Sequence, residues 1–333
     1  MRTYIIKRLL LIIPTLLGIT LITFTISHLA PGETPIMAGD KTGRLQGRIT
    51  SEQIEQWRRL NNLDEPIHVQ YWMWVKRLVR LDFGTSFKDG RPVIKKIAER
   101  LPITMTLSFT AMFLVYLISV PLGIHSATHQ YQLSDRISTF IIFVLYSLPS
   151  FWVAHMLLTY ACGGEYLNLF PLAGVSSPDA SEMGPLRWFL DRVWHLALPV
   201  LCYTYRGLAG MSRYARAGML EVLRQDYIRT ARAKGLAERV VIMKHAFRNS
   251  VIPIITLLGG LLPALLSASV IVEQIFSIPG IGRLGFEAVL NRDYPVIMGF
   301  ATIGATLTLF GILMSDLLYA VVDPRISYGS DKT

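Results

Sequence analysis

Apolar residues in this chain fall into runs long enough to cross a bilayer, separated by stretches where the charges collect. Leu9 to about Ala30 carries no Asp, Glu, Lys or Arg and follows Arg2, Lys7 and Arg8. Leu101–Ile124, Ile137–Ala161, Val251–Ile275 and Pro295–Val322 are further runs of this kind, although each holds at least one proline. A membrane-spanning helix needs about 20 mostly apolar residues. Internal proline is tolerated there because neighbouring helices satisfy the freed carbonyls. Leu196–Met211 reads as a weaker, shorter span that contains Arg206. Six spans are therefore expected in an all-α, polytopic membrane protein. The first run is longer than the apolar core of a signal peptide, about 7–15 residues, and lacks a small-residue cleavage site. A retained helix is expected over 1–30.

Residues 31–100 break the pattern and are expected to form an extracytoplasmic segment. They hold Pro31, Gly32, Pro35 and charges of both signs, with no run of spanning length. The stretch QYWMWVKRLV at 70–79 mixes aromatics with Lys76 and Arg77, as a helix at a membrane interface does. The remainder divides into a five-helix core over 101–325, with a polar loop at 213–250, and a tail at 326–333.

Composition sharpens this picture. Hydrophobic residues make up 52% and charged residues 17% of 333, against about 25% charged in a soluble domain. The net charge of +10 suggests nucleic acid only until its position is considered. The loop 213–250 carries Arg213, Arg216, Arg224, Arg229, Arg232, Lys234, Arg239, Lys244 and Arg248 against Glu221, Asp226 and Glu238. Basic loops stay on the cytoplasmic side. With six spans this loop, Arg2, Lys7, Arg8 and both termini share that side, and no nucleic-acid partner is implied. Cys162 and Cys202 are not spaced as a zinc or redox motif.

The loop is patterned as structure. Met219, Val222, Leu223 and Tyr227 recur at helical spacing, Gly235 supplies a stop beside Lys234, and a second helical pattern runs from Leu236 to Phe247. A helix–glycine–helix element fits a partner's groove. The sequences DYIRTARAKGL (226–236) and HAFRN (245–249) resemble the cytoplasmic signature loop of binding-protein-dependent ABC importer permeases, specifically the dipeptide/oligopeptide (peptide/nickel) branch. Arg229, Thr230 and Ala231 stand where the general permease pattern has Glu-Ala-Ala, which is usual for that branch. Further matches follow in order: residues 4–35, LNNLDEPIHVQY (60–71), LDFGTSF (81–87), EQIFSIPGIG (273–282), RDYPV (292–296) and DLLYAVVDPR (316–325). Leu81 occupies a position where glycine is common.

The resemblance implies an ABC importer type I permease fold in the bacterial inner membrane. It implies a sister permease subunit, two ATP-binding-cassette ATPases and an extracytoplasmic solute-binding protein as partners. Asp226, Tyr227, Arg229, Thr230, Ala231, Arg232, Lys234 and Gly235 would form the ATPase-coupling element. The chain has no G-x-x-x-x-G-K-[ST] phosphate loop, so ATP and Mg²⁺ would sit on the partner ATPases. No cofactor, metal or catalytic site is expected in this chain. Its cargo would be di- or oligopeptides or related small solutes such as nickel.

Three charges inside or at the ends of spans are candidates for gating or for lining the path. Arg206 lies close enough to the loop to snorkel instead. Glu273 either lines the path or caps the SIPGIG turn, and Asp316 fits a salt bridge within the bundle. His125 and His129 have a metal-pair spacing without a third ligand, and His28 and His155 read as polar contacts in the bundle. An ion-driven secondary transporter would need acidic groups near the midplane, whereas Glu273 and Asp316 fall near span ends. A membrane-embedded enzyme lacks an evident site.

Overall fold

The computed structural model describes residues 2–29, 55–56, 59, 62, 64–162, 166–251, 254 and 270–322. For 2–5, 7 and 315–322 it describes the backbone alone. The described elements are helical: α1 (Arg2–Leu29), α2 (Ile67–Val79), α3 (Val93–Thr128), α4 (Leu133–Ser147), α5 (Ser150–Leu157, continuing as a π-helix over Leu158–Cys162) and α6 (Pro185–Leu223). They continue with α7 (Asp226–Ala233), α8 (Glu238–Val240, continuing as a π-helix over Val241–Ala246), α9 (Phe247–Ser250), α10 (Val270–Ile275), α11 (Ile281–Leu290) and α12 (Tyr294–Val322). An isolated bridge, Thr85 to Pro92, is the extended pairing among the described residues.

Among these residues three helices are long and apolar enough to cross a membrane: Arg8–Leu29, Val93–Thr128 and Tyr294–Met314. Leu133–Ser147 and Ser150–Cys162 add a fourth only if counted together, because they are bent by 94°. The bend falls where Leu148 and Pro149 take extended backbone, so Pro149 breaks the helix expected over Ile137–Ala161. Most of the run expected at Val251–Ile275 lies outside the described residues. The weak span expected at Leu196–Met211 is the middle of α6, a 39-residue helix about 58 Å long at 1.5 Å per residue. It begins well before Leu196: Pro185 opens the helix, where its fixed φ and missing N–H do no harm.

The chain divides into two compact units. The first comprises residues 1–102, 281–313 and 326–333, the second 103–280 and 314–325.

In the first unit Phe24, Trp74, Val75 and Met298 form one apolar cluster. Phe83, Val93, Ile97, Ile281, Leu284, Ala288 and Val296 form another. A polar clip joins two segments far apart in sequence. Asp293, 2% exposed, accepts from the Ser86 hydroxyl and from the Phe87 N–H at 2.9 Å. Lys96 donates to Ser86 Oγ at 2.9 Å and to Asp89 Oδ2 at 2.8 Å. The segments LDFGTSF and RDYPV thus meet at one buried carboxylate. Leu81 has φ +58°, the left-handed conformation that explains why glycine suits this position.

In the second unit Leu107, Ala111, Ala154, Leu196, Leu198, Val200, Cys202, Val272, Phe276 and Ile278 share a core, and both cysteines are free. Small residues let α3 and α6 approach closely, as in membrane helix pairs. A Cβ on Gly123 would lie 2.5 Å from Ala215 Cβ and 2.7 Å from the Ser212 carbonyl, and one on Gly207 would lie 2.7 Å from Val115 Cγ2. Between them, Ser119 donates to the Leu208 carbonyl at 3.2 Å.

Candidate functional site

The segment 213–250 forms a folded hairpin of helices at the end of α6. The sequence pattern reads as one helix from Arg213 to Lys234, but the structure breaks it at Gln225, whose φ of −72° and ψ of 149° are extended. No glycine or proline marks this break. It turns α7 back so that Ile228 (0% exposed) and Ala231 face inward, packed with Met219, Val241, Ala246 and Ala127. Asp226 begins α7, where a carboxylate complements the helix dipole.

The outer face of α7 is polar and open. Asp226 and Arg229 side chains are 95% and 74% exposed and lie 3.4 Å apart. Such a pair contributes little to stability. Thr230 is exposed and donates to the Asp226 carbonyl at 3.0 Å. Tyr227 accepts from Asn249 Nδ2 at 2.8 Å, tying α7 to α9.

The turn after α7 is well fixed. Lys234 is the C-cap, and Gly235 has φ +75° with its N–H donating to the Arg232 carbonyl at 2.9 Å. Glycine takes this conformation without steric cost. Nothing lies within 4 Å of where a Gly235 Cβ would be. Arg232 grips Glu238 across the turn with two bonds, at 2.7 and 3.1 Å. The hydrogen bond from Arg232 holds the Glu238 carboxyl below the usual range. Of the eight residues marked in the sequence, Ala231 is a packing residue; the other seven lie on the open face or the turn.

Two contacts anchor the stem of this element. Asp135, 4% exposed, accepts from Arg216 Nη2 at 3.0 Å, from the Tyr131 N–H at 3.0 Å and from the Ser126 hydroxyl. It therefore ties α6 to the α3–α4 turn. The Gly123 crossing adds the second contact. Sequence reading missed Asp135 and Arg216 as a pair because 81 residues separate them; a lone carboxylate opening an apolar helix was the available signal.

The remaining candidates are dispersed. Arg206 is exposed on α6. Asp316 lies in α12, and its side chain falls outside the described residues. Glu273 is fully buried and accepts from Thr104 Oγ1 at 2.8 Å. A Cβ on Gly280 would meet its carboxylate at 2.1 Å. Glu273 therefore sits beneath the SIPGIG turn, and only glycine at 280 leaves it room. His125 stacks on His129 at 4.4 Å and contacts Ser134 Oγ at 3.1 Å. His28 contacts Gln70 Oε1 at 3.0 Å, while His155 is exposed.

A multi-helix membrane protein with an exposed, rigidly stemmed helical hairpin has the form of a transporter subunit that answers to a partner. The chain belongs to the family of binding-protein-dependent transport system inner membrane components, whose pattern matches residues 119–328; the N-terminal region of such components matches residues 1–108. It is thus a multi-pass membrane permease component and not an enzyme. It is similar to the oligopeptide transport system permease protein AppB of Bacillus subtilis, 41% identical over 98% of this chain and 100% of that one. It is also similar to the dipeptide transport system permease protein DppB of Escherichia coli K12, at 36% over 98% and 99%. The inner membrane ABC transporter permease protein YejB of Escherichia coli O157:H7 is 33% identical over 98% and 99%.

Proposed function

We propose that this chain is a permease subunit of an ATP-binding-cassette importer for di- or oligopeptides, or related small solutes, in the bacterial inner membrane. It pairs with a sister permease above two ATPases and receives cargo from an extracytoplasmic solute-binding protein. ATP and Mg²⁺ act on the ATPases. Six spans put both termini and the loop 213–250 in the cytoplasm, in line with the basic excess of that loop. The peptide cargo is supported by what AppB and DppB are named for.

The observation that carries this reading is α7, with its inner face locked to the stem and its outer face charged and unburied. Asp226, Tyr227, Arg229, Thr230, Arg232, Lys234 and Gly235 meet the ATPase, and Ala231 holds the element in shape. Closure of the ATPases on nucleotide displaces α7. The displacement passes through Met219 and Arg216 into α6, and from there to α3 at Gly123 and to α4 at Asp135. Nucleotide shifts the permease between inward- and outward-open states only as far as its affinity differs between them.

The test is ATP-driven uptake of a labelled dipeptide by proteoliposomes holding the complete complex. A Cβ at position 235 meets no atom within 4 Å, so the local cost of a side chain there is the strain of φ +75°. Gly235→Arg is expected to insert and fold yet abolish ATP-coupled uptake. Full uptake by that variant would remove α7 as the coupling element.

A further inference from the structure

Within the first unit a recess of about 310 Å³ lies at the C-terminal end of α1, lined in part by Phe24, His28, Trp74, Arg77, Asp82 and Tyr294. Trp74 is 4% exposed, and its Nε1 has no hydrogen-bond partner among the described residues. A buried donor left unpaired is costly, and such a group in a native fold points to an absent acceptor. Arg77 and Asp82 bring opposite charges to the same recess and form no ion pair among the described residues. A ligand carrying both an anionic and a cationic group would satisfy them together.

The surroundings indicate what brings that ligand. α1 is an apolar span, and Leu17, Leu21, Phe24 and His28 follow the i, i+4, i+7, i+11 spacing of one helix face. Phe24 and His28 line the recess, while Leu17 and Leu21 remain 44% and 49% exposed, an apolar track leading from the recess along the span. Aromatic rings and an indole N–H are at home at headgroup depth. The volume is at the low end for ligand pockets, roughly 300–1,000 Å³, which admits a headgroup but leaves acyl chains outside along the track.

We propose that this recess binds the headgroup of a zwitterionic phospholipid of the phosphatidylethanolamine type. Arg77 takes the phosphate, Asp82 the ammonium, Trp74 Nε1 donates to a phosphate or ester oxygen, and one acyl chain follows Leu17 and Leu21. This rests on α1 crossing the membrane and not on ATP coupling, so Gly235→Arg should bind the lipid as the parent protein does, even with transport lost.

The experiment measures phospholipid retained per chain by mass spectrometry of the complex purified in mild detergent. It also follows melting while short-chain dihexanoyl phosphatidylethanolamine is titrated in. The expected result is selective retention of phosphatidylethanolamine, with protection weakened at least fivefold in Arg77→Gln and in Asp82→Asn, both at exposed positions that do not threaten folding. Trp74→Phe, which keeps an aromatic ring, should weaken it too. Unchanged retention and protection in the two charge variants would overturn the proposal. So would equal protection by dihexanoyl phosphatidylglycerol, or protection by a free dipeptide in place of the lipid, which would make the recess a cargo site.

Discussion

Adding one methyl group at Gly123 should disturb the protein more than its size suggests. The new Cβ would stand 2.5 Å from Ala215 Cβ, 2.7 Å from the Ser212 carbonyl oxygen and 2.9 Å from the Arg216 N–H nitrogen. Carbon atoms in contact sit about 3.5–4.0 Å apart, so α3 and α6 would have to separate locally by about 1 Å. Two of the three neighbours are backbone atoms and cannot rotate away. Overpacking of this kind costs about 1–3 kcal/mol. The residues displaced, Ser212 to Arg216, form the stem from which α7 hangs. Gly123→Ala is therefore expected to lower the melting temperature of the purified complex and to weaken stimulation of its ATPase by loaded binding protein. Gly210→Ala is the control, because nothing lies within 4 Å of its Cβ. Adding Ala215→Gly to Gly123→Ala should restore only part of the loss, since the backbone contacts remain. If Gly123→Ala matches Gly210→Ala in melting and coupling, the close crossing does not transmit the motion.

Further expectations follow from the same geometry. Ile228→Ala empties a fully buried site and should destabilise the hairpin by about 2–5 kcal/mol, read as faster hydrogen exchange over 226–246. Arg229→Ala should leave that exchange unchanged and reduce ATPase retention. Gly280→Ala should drive the Glu273 carboxylate from Thr104, and Thr104→Val should cost about 1–3 kcal/mol by leaving a buried acceptor short of a donor; both are read by melting. At Asp89 burial pushes the carboxyl up, but bonds from Lys96 and the Arg91 N–H outweigh it and hold the group below its usual 3.8. A lowered folded value gives stability that is present above pH 3.8 and lost as pH falls through the folded value. The melting difference between the parent protein and Asp89→Asn should therefore hold from pH 7 to 5 and shrink only as the pH falls below 3.8.

The apolar runs made α1, α3 and α12 legible, because each is long and uncharged enough to admit one reading. The marked residues 226–235 were legible as a motif, and Gly235 does adopt the stop conformation. The break at Gln225 was not, since it arises from the burial of Ile228 and Ala231 on Met219 rather than from a local breaker. The length of α6 was hidden because its polar ends dilute the apolar middle. Ser86 and Asp293 lie 207 residues apart, beyond any local pattern, although both fall in segments that the resemblance singled out. Glu273 stood out as a charge, but its place beneath Gly280 needed coordinates.

The central claim is that this permease works only as one part of an ATP-driven assembly. Its most direct test is gentle purification of tagged chain from native membranes, with mass spectrometry of the proteins retained. A second permease and ATPases carrying the phosphate loop are expected in fixed ratio, with the ATPases lost from Gly235→Arg. A chain that purifies alone or self-paired, and still transports without ATP, would contradict it.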